Sequence, residues 1–327
     1  MSESRLQARV GTLRQLEILL AVYHHGSISE AARQLHLTQP TVSMQLRKLS
    51  DGMSMPLYYQ VGRQLQLTEA GHAAVKTAIE VQGCFERLDM KLAGLQGLTT
   101  GTLNLAIVTT AKYFIPHLIG DFSRKFPQID GRFHVGNRQQ IIKRLRSGEE
   151  DFYVFSHPPE SDALEMMELL PNRLQAIAPL DHVLAQRAEQ GIIPLIEFCQ
   201  APFLMREEGS GTRHAIEMHL AKQGLQLNIR MTIESNEAIK HSVMSGLGVS
   251  ILSEHTLAFG ERQGLAVLDV DHLPIISHWY LAWLKDKPLS PVAAAFLNYI
   301  KQSGREQIMA GLDRRKFEFE QTEQDKA

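Results

Sequence analysis

Two cysteines, Cys84 and Cys199, stand among 327 residues. So few exclude a disulfide framework or a cysteine-ligated zinc site, and both are expected as small buried hydrophobes. No run of about 18 apolar residues occurs, so no membrane-spanning helix is predicted. The opening "MSESRLQARVGTLRQ" has no apolar stretch ahead of a small-residue cleavage site, and a cytoplasmic protein is expected. Reaction chemistry is equally thin. With no Gly-x-Ser-x-Gly elbow, no His-Glu-x-x-His pair and no phosphate loop, an enzyme is not the expected class, and no metal or cofactor is assigned. Strong charge of either sign is missing too, the formal net charge being -2.

What is present is uneven. Residues 1–67 carry seven Lys and Arg against four Asp and Glu, a small basic unit on an acidic remainder, which hints at nucleic acid. At 327 residues the chain exceeds what one hydrophobic core usually serves, so two or three domains are expected. Three helices are predicted in quick succession. Thr12 with Gln15 has capping-box spacing ahead of Leu13, Leu16, Leu20 and Tyr23, and His24-His25-Gly26 ends that helix. Ser27 and Glu30 form a second box opening "ISEAARQLHL", in which Ala31, Ala32 and Leu35 face inward. Thr38 caps the third helix, where Pro40 is harmless because the first turn has no internal N–H bond to lose.

In that third helix Val42, Leu46 and Leu49 sit at i, i+4 and i+7 and face the core. The opposite face holds Thr38, Gln39, Thr41, Ser43, Gln45 and Arg47, with no acid before Asp51. Short donors and acceptors without carboxylates suit the major groove of DNA. A solvated face is the bland alternative, disfavoured by the capped helices before it and the hairpin after it. That hairpin, "PLYYQVGRQLQL", has Leu57, Tyr58 and Tyr59, a Val61-Gly62 turn, then Leu65 and Leu67. Arg63 at its tip would reach the minor groove or flanking phosphates.

The stretch "TLRQLEILLAVYHHGSISEAARQLHLTQPTVSMQLRKL", followed by "PLYYQ" and "LTEAG", resembles the N-terminal signature of LysR-type transcriptional regulators. The match runs through Ser27, Ser29, Ala31, Ala32, Leu35, Thr38, Gln39, Pro40, Val42 and Ser43. The resemblance implies a winged helix-turn-helix with DNA contacts from Gln39, Pro40, Thr41 and Ser43. It also draws in Ser27, Ser29, Thr38 and Met44, the last standing where many members carry arginine.

From Glu69 to Gln96 a long helix is predicted, about 40 Å by its residue count. Gly71, Ala74, Ala78, Val81, Phe85, Leu88, Leu92 and Leu95 recur at spacings of 3 and 4, a heptad seam for a second copy. A helix packed on its own domain is the alternative. Two reading heads also fit two-fold related half-sites on double-stranded DNA, and the resemblance implies a dimer or a dimer of dimers.

Thr99-Thr100-Gly101 break that helix, and strands then alternate with helices, which predicts largely parallel sheets covered by helices. "HWYLAWL" and "PVAAAFLNYI" are expected to return to the first sheet, giving two α/β lobes around a cleft as in periplasmic binding proteins. The expected organisation is 1–68 winged helix-turn-helix, 69–98 linker helix, 99–303 effector domain and 304–327 polar tail. The lobes are expected at about 101–170 plus 273–303 and about 171–272. A cytoplasmic solute-binding protein would share the lobes but has no need of the first 67 residues.

Ligands of such folds sit beyond strand ends, where helix N-termini offer free N–H groups. Thr109, Thr110 and Lys112 follow the first strand. Ser210, Thr212 and Arg213 open a helix in "GSGTR", and Asn236 opens another. With Arg206 and His157 nearby, these residues are expected to hold a small anion. "TTAKYFIP", "VGNR", "HPPE", "GSGTR", "SNEAIKHSVMSGLGVSILSEHTL" and "LSPVAAAFL" resemble the CbbR branch of the LysR-type regulators, which governs RuBisCO and Calvin-cycle operons. That resemblance implies control of carbon-fixation genes by a phosphorylated metabolite such as ribulose bisphosphate or phosphoenolpyruvate, or by NADPH.

Overall fold

The computed structural model describes residues 11–61, 64–95, 100–258 and 264–304. The chain divides into two compact units with a boundary between Leu92 and Ala93.

In the first unit, α1 (Leu13–His25) begins on a full capping box. Thr12 Oγ1 accepts from the Gln15 amide at 3.3 Å, and Gln15 Oε1 accepts from the Thr12 amide at 2.9 Å. It stops at Gly26, whose φ of 67° few side-chain-bearing residues adopt easily. Helix α2 (Ile28–Gln34) starts on Ser27, which accepts from the Glu30 amide at 3.1 Å. The expected return bond from Glu30 is replaced by an ion pair with Arg33. Thr38 caps α3 (Gln39–Met53) through the Thr41 amide at 3.3 Å. Strands β1 (Tyr58–Val61) and β2 (Gln64–Leu67) pair antiparallel, Tyr58 opposite Leu67. Ile18, Leu19 and Val22 of α1 meet Ala31 and Ala32 of α2 and Val42, Leu46 and Leu49 of α3 in one core. Burying these side chains at about 25 cal/mol per Å² of apolar surface is what holds three short helices that would not persist alone.

Helix α4 (Glu69–Leu95) joins that core with its first half. Ala74, Val75 and Ala78 are buried against α1–α3. A Cβ on Gly71 would lie 1.9 Å from the Leu57 carbonyl oxygen, so only glycine allows this approach. The seam assigned to a second copy is therefore divided. Gly71, Ala74 and Ala78 serve their own domain, which corrects the assignment of Ala78 to the dimer. Cys84 on this helix is exposed, against expectation, whereas Cys199 is buried.

The second unit is built on a seven-stranded sheet ordered β10-β6-β11-β5-β3-β4, with β9 also on β6. Strand β3 (Gly101–Val108) runs parallel to β4 (Ile129–Gly136) and β5 (Phe152–Phe155). The long β6 (Leu164–Pro179) and β11 (Ile275–Leu284) instead pair antiparallel with each other. Short β9 (Ser250–Ser253) and β10 (Leu265–Leu268) also run antiparallel to β6. Parallel pairing returns between β7 (Phe203–Arg206) and β8 (Ile229–Ile233). The expectation of largely parallel sheets thus holds for β3 with β4 and β5 and for β7 with β8, and fails for β6 and β11, which cross between the lobes antiparallel to each other, and for β9 and β10 on β6.

Two cores flank that pair. In the first lobe α5 (Ile115–Lys125) and α12 (Pro291–Tyr299) bring Phe122 and Phe296 edge to face at 5.0 Å, with Phe152 at 5.7 Å from Phe296. In the second lobe Leu174, Phe198, Phe203, Ile216 and Val249 cluster. The second lobe also holds the short α7 (Val183–Ala188), α8 (Leu195–Gln200) and α11 (Glu254–Leu257), and the N-terminal ends of α6 (Arg138–Ser147), α9 (Gly211–Gln223) and α10 (Asn236–Met244) carry most of the polar residues of interest. Among the described residues no helix is long and apolar enough to cross a membrane.

Candidate functional site

On α3, Gln39, Pro40, Met44 and Arg47 are exposed and Thr41 and Ser43 half-exposed, while Val42, Leu46 and Leu49 are buried. The Thr38 and Thr41 hydroxyls lie 2.8 Å apart and fix the start of the helix. Ser27 is occupied as a cap, and Ser29 is exposed one turn into α2. Gln45, expected outward, accepts from Gln15 Nε2 at 3.1 Å and ties α3 to α1. What remains outward is an acid-free surface of amide, hydroxyl, thioether and guanidinium groups, suited to base edges and phosphates. Arg63 lies outside the described residues.

Further along α4, Phe85, Leu88 and Leu92 are 51%, 50% and 50% exposed. They stand at 3- and 4-residue spacing on one face, with Val81 half-buried before them. The Leu95 side chain lies outside what is described. Large apolar residues so arranged make an exposed stripe with the spacing of a coiled-coil seam.

In the second unit, Thr109 and Thr110 end β3 in a tight 3₁₀ turn, Thr109–Tyr113. Asn236, at the start of α10, is buried and donates to Thr110 Oγ1 at 3.0 Å and Thr256 Oγ1 at 3.5 Å. Its Oδ1 accepts from Arg206. Arg206 is 2% exposed, and its guanidinium is fully engaged. Nε and Nη2 meet the two Glu207 carboxylate oxygens at 2.8 and 3.0 Å, and Nη2 also reaches the Glu234 carbonyl at 3.3 Å and Thr109 Oγ1 at 3.5 Å. Its expected role as the cation for a ligand is corrected: Glu207 already neutralises it, and the residue holds Thr109, Asn236 and β7 together. Lys112 is likewise paired, with Glu237 at 2.7 Å, and Tyr113 donates to the same carboxylate at 2.6 Å. Burial raises the Glu237 carboxyl, but these two donors outweigh it and bring the group to about 2.

Beside this network a groove of about 980 Å³ opens between α6 and α9. Arg138 and Lys143 line it from the first lobe, and Ser210, Arg213 and His214 from the second. The lobes touch along it, since the Gln139 amide donates to the Gly209 carbonyl at 3.1 Å. Gly209 has φ +81° and a Cβ there would fall 2.6 Å from Gln139 Oε1, so glycine is required. Ser210 caps α9 through the Arg213 amide at 3.5 Å, and Thr212 is buried behind it. Arg213 binds Glu217 at 2.7 Å and the Arg206 carbonyl at 3.3 Å, so its charge too is partly spent internally. Arg138 Nε donates to the His157 carbonyl at 2.7 Å, placing His157 next to the groove. Arg138 ends the quoted "VGNR" and His214 directly follows "GSGTR", but neither carries a local signal, because only the approach of two lobes brings them together.

Residues 13–72 match the model of the "Bacterial regulatory helix-turn-helix protein, lysR family", and residues 96–305 that of the "LysR substrate binding domain". The chain belongs to the LysR family. It is 43% identical over 290 residues to the HTH-type transcriptional activator CmpR of Synechocystis sp., covering 88% of this chain and 94% of that one. It is 38% identical over 296 residues to the RuBisCO operon transcriptional regulator of Acidithiobacillus ferrooxidans, covering 90% and 95%. Its second unit is similar to the solved regulatory domain of Synechocystis CcmR in complex with 2-PG. There the identity is 42% and the TM-score 0.58, covering 62% of this chain and 96% of that domain. All three relatives are regulators by name. In LysR-family terms the first unit is the helix-turn-helix domain, and the two lobes are the substrate-binding domain.

Proposed function

We propose that this LysR-family protein is a cytoplasmic, DNA-binding regulator of carbon-fixation genes, the RuBisCO operon above all, whose DNA binding is set by an anionic metabolite held between the lobes. The observation that carries the reading is a cation-lined interlobe groove in the same chain as the acid-free outer face of α3. The relatives' own names, a RuBisCO operon regulator and a domain holding 2-PG, support the gene class and the ligand class. Arg138, Ser210 and Arg213 line the groove toward the anion with His157 beside them, while Thr109, Thr110, Thr212 and Asn236 lie off the groove and brace the lobes behind it, Thr109 and Asn236 through Arg206. A phosphorylated metabolite fits best, and NADPH is the larger alternative for a groove of this size. The ligand acts by binding one lobe arrangement better than another, which changes the spacing of two DNA heads in a dimer or dimer of dimers.

Gel-shift titration against the DNA upstream of a RuBisCO operon, with and without 2-PG, ribulose bisphosphate, phosphoenolpyruvate or NADPH, tests the whole reading. A ligand-dependent, sequence-selective shift is expected, and none with any of the four refutes it. Within that assay, Gln39→Ala with Ser43→Ala weakens operator binding by about 1–3 kcal/mol, the worth of a good base-reading contact. Gln39 is exposed and Ser43 half-buried, and neither belongs to the core of α1–α3, so the melting temperature stays that of the wild type. Unchanged affinity in the folded double variant would remove α3 from the groove of DNA.

A further inference from the structure

At one edge of the groove the two lobes bring an imidazole each together, His214 from the lining and His157 beside it. His157 follows β5 in the first lobe and His214 lies in the first turn of α9 in the second. Their rings stand edge to face with centroids 6.0 Å apart. His157 Nδ1 is 3.2 Å from Ser156 Oγ, and among the described residues neither ring is hydrogen-bonded to a carboxylate. Arg138 holds the His157 carbonyl from α6 and acts electrostatically on both rings.

The charges lining the groove beside the pair are mostly positive. Arg138, Lys143 and Arg146 come from α6, and Arg213 and Glu217 from α9, with Glu208 on the loop before it. Glu217 favours a charged His214, but its carboxylate is already taken by Arg213. Burial, the partner imidazole and Arg138 bring His157 down to about 4, and burial with Arg138 also lowers His214. Both imidazoles are thus held toward the neutral form beside a guanidinium. A ligand with two or more negative charges reverses the Coulombic balance that keeps them neutral.

We infer that His157 and His214 are the proton-linked part of the interlobe site: an anion seated beside Arg138 draws a proton onto the imidazole pair, so it binds more tightly as pH falls from 8 to 6. This rests on the interlobe reading of the effector site and adds its regulation. The direction follows from linkage. A group that titrates higher in the complex than in the free protein takes up a proton on binding, and affinity then rises as pH falls through the complex's value. The gain is about tenfold per pH unit for each proton taken up.

Calorimetry of the full-length protein with 2-PG at pH 7, in two buffers of different ionisation enthalpy, reads the proton count directly. Uptake of about one proton per site is expected, with affinity about three- to tenfold higher at pH 6.5 than at pH 7.5. The ligand's own phosphate titrates near this range, so His157→Gln with His214→Gln is the control, and the uptake disappears in it. The imidazole proton resonances of the unmutated protein give a second readout, moving toward the protonated position when 2-PG is added at constant pH. Binding without proton uptake, or uptake that persists in the double variant, overturns the inference and leaves the site standing. Failure of 2-PG, ribulose bisphosphate, phosphoenolpyruvate and NADPH all to bind overturns the effector reading and the inference with it.

Discussion

Leu88→Asp converts the protein to monomers at low micromolar concentration and leaves the fold of each monomer intact. In one chain Leu88 is already 50% exposed, as are its neighbours Phe85 at 51% and Leu92 at 50%, so a carboxylate there faces water and costs the monomer little. In a paired helix the same carboxylate enters an apolar seam, and two-fold symmetry places a second one close to it. Desolvation and like-charge repulsion together amount to several kcal/mol of lost association. Operator affinity falls with it by about 100-fold or more, because the second head no longer binds as an intramolecular partner. Ala78→Asp makes the contrast. That position is 2% exposed within the core of α1–α3, so the substitution unfolds the first unit instead of splitting an assembly. Sedimentation velocity separates the two cases. Persistence of dimers in Leu88→Asp would mean that the exposed face of α4 is covered by something other than a second copy.

That contrast also shows where the sequence stops being legible. The capping residues Thr12, Ser27 and Thr38 each bond to an amide three residues on, and Val42, Leu46 and Leu49 recur at the helical period. Local chemistry decides both, so three helices and an inward face can be read directly. The seam of α4 is one continuous pattern in sequence, yet the structure buries Ala78 in its own domain and leaves Leu88 exposed. Only the tertiary position of α1 determines where the helix leaves its own domain. Gln45 has the same history, appearing to face outward until Gln15 on another helix claims it. In the second unit, strand positions are visible from alternation, but strand direction is not. The antiparallel crossing of β6 and β11 follows from how two lobes exchange chain. The site divides likewise. The short hydroxyls at strand and helix ends are visible, whereas Arg138 and His214 matter only because two lobes meet.

Arg206→Met lowers the stability of the second unit by about 3–5 kcal/mol, the usual cost of removing one partner from a buried ion pair. The side chain is 2% exposed and its Glu207 partner only 14%. Loss of the guanidinium strands that carboxylate and also leaves Asn236 Oδ1 and the Glu234 carbonyl without their donor. For a unit of roughly 200 residues the melting temperature falls by about 2–4 °C per kcal/mol. Arg213→Ala is the comparison, since Glu217 is 52% exposed and such a pair contributes about 1 kcal/mol or less. Adding Glu207→Gln to Arg206→Met restores part of the loss, because the stranded charge is what makes the single change severe. Scanning calorimetry of the wild type, Arg206→Met, Glu207→Gln and the double variant gives the cycle, with Arg213→Ala measured beside it. If Arg206→Met melts like the wild type and has lost only its 2-PG binding, the guanidinium serves the ligand and not the fold. The groove would then extend inward to Thr109 and Asn236, with Glu207 as the group that the anion displaces.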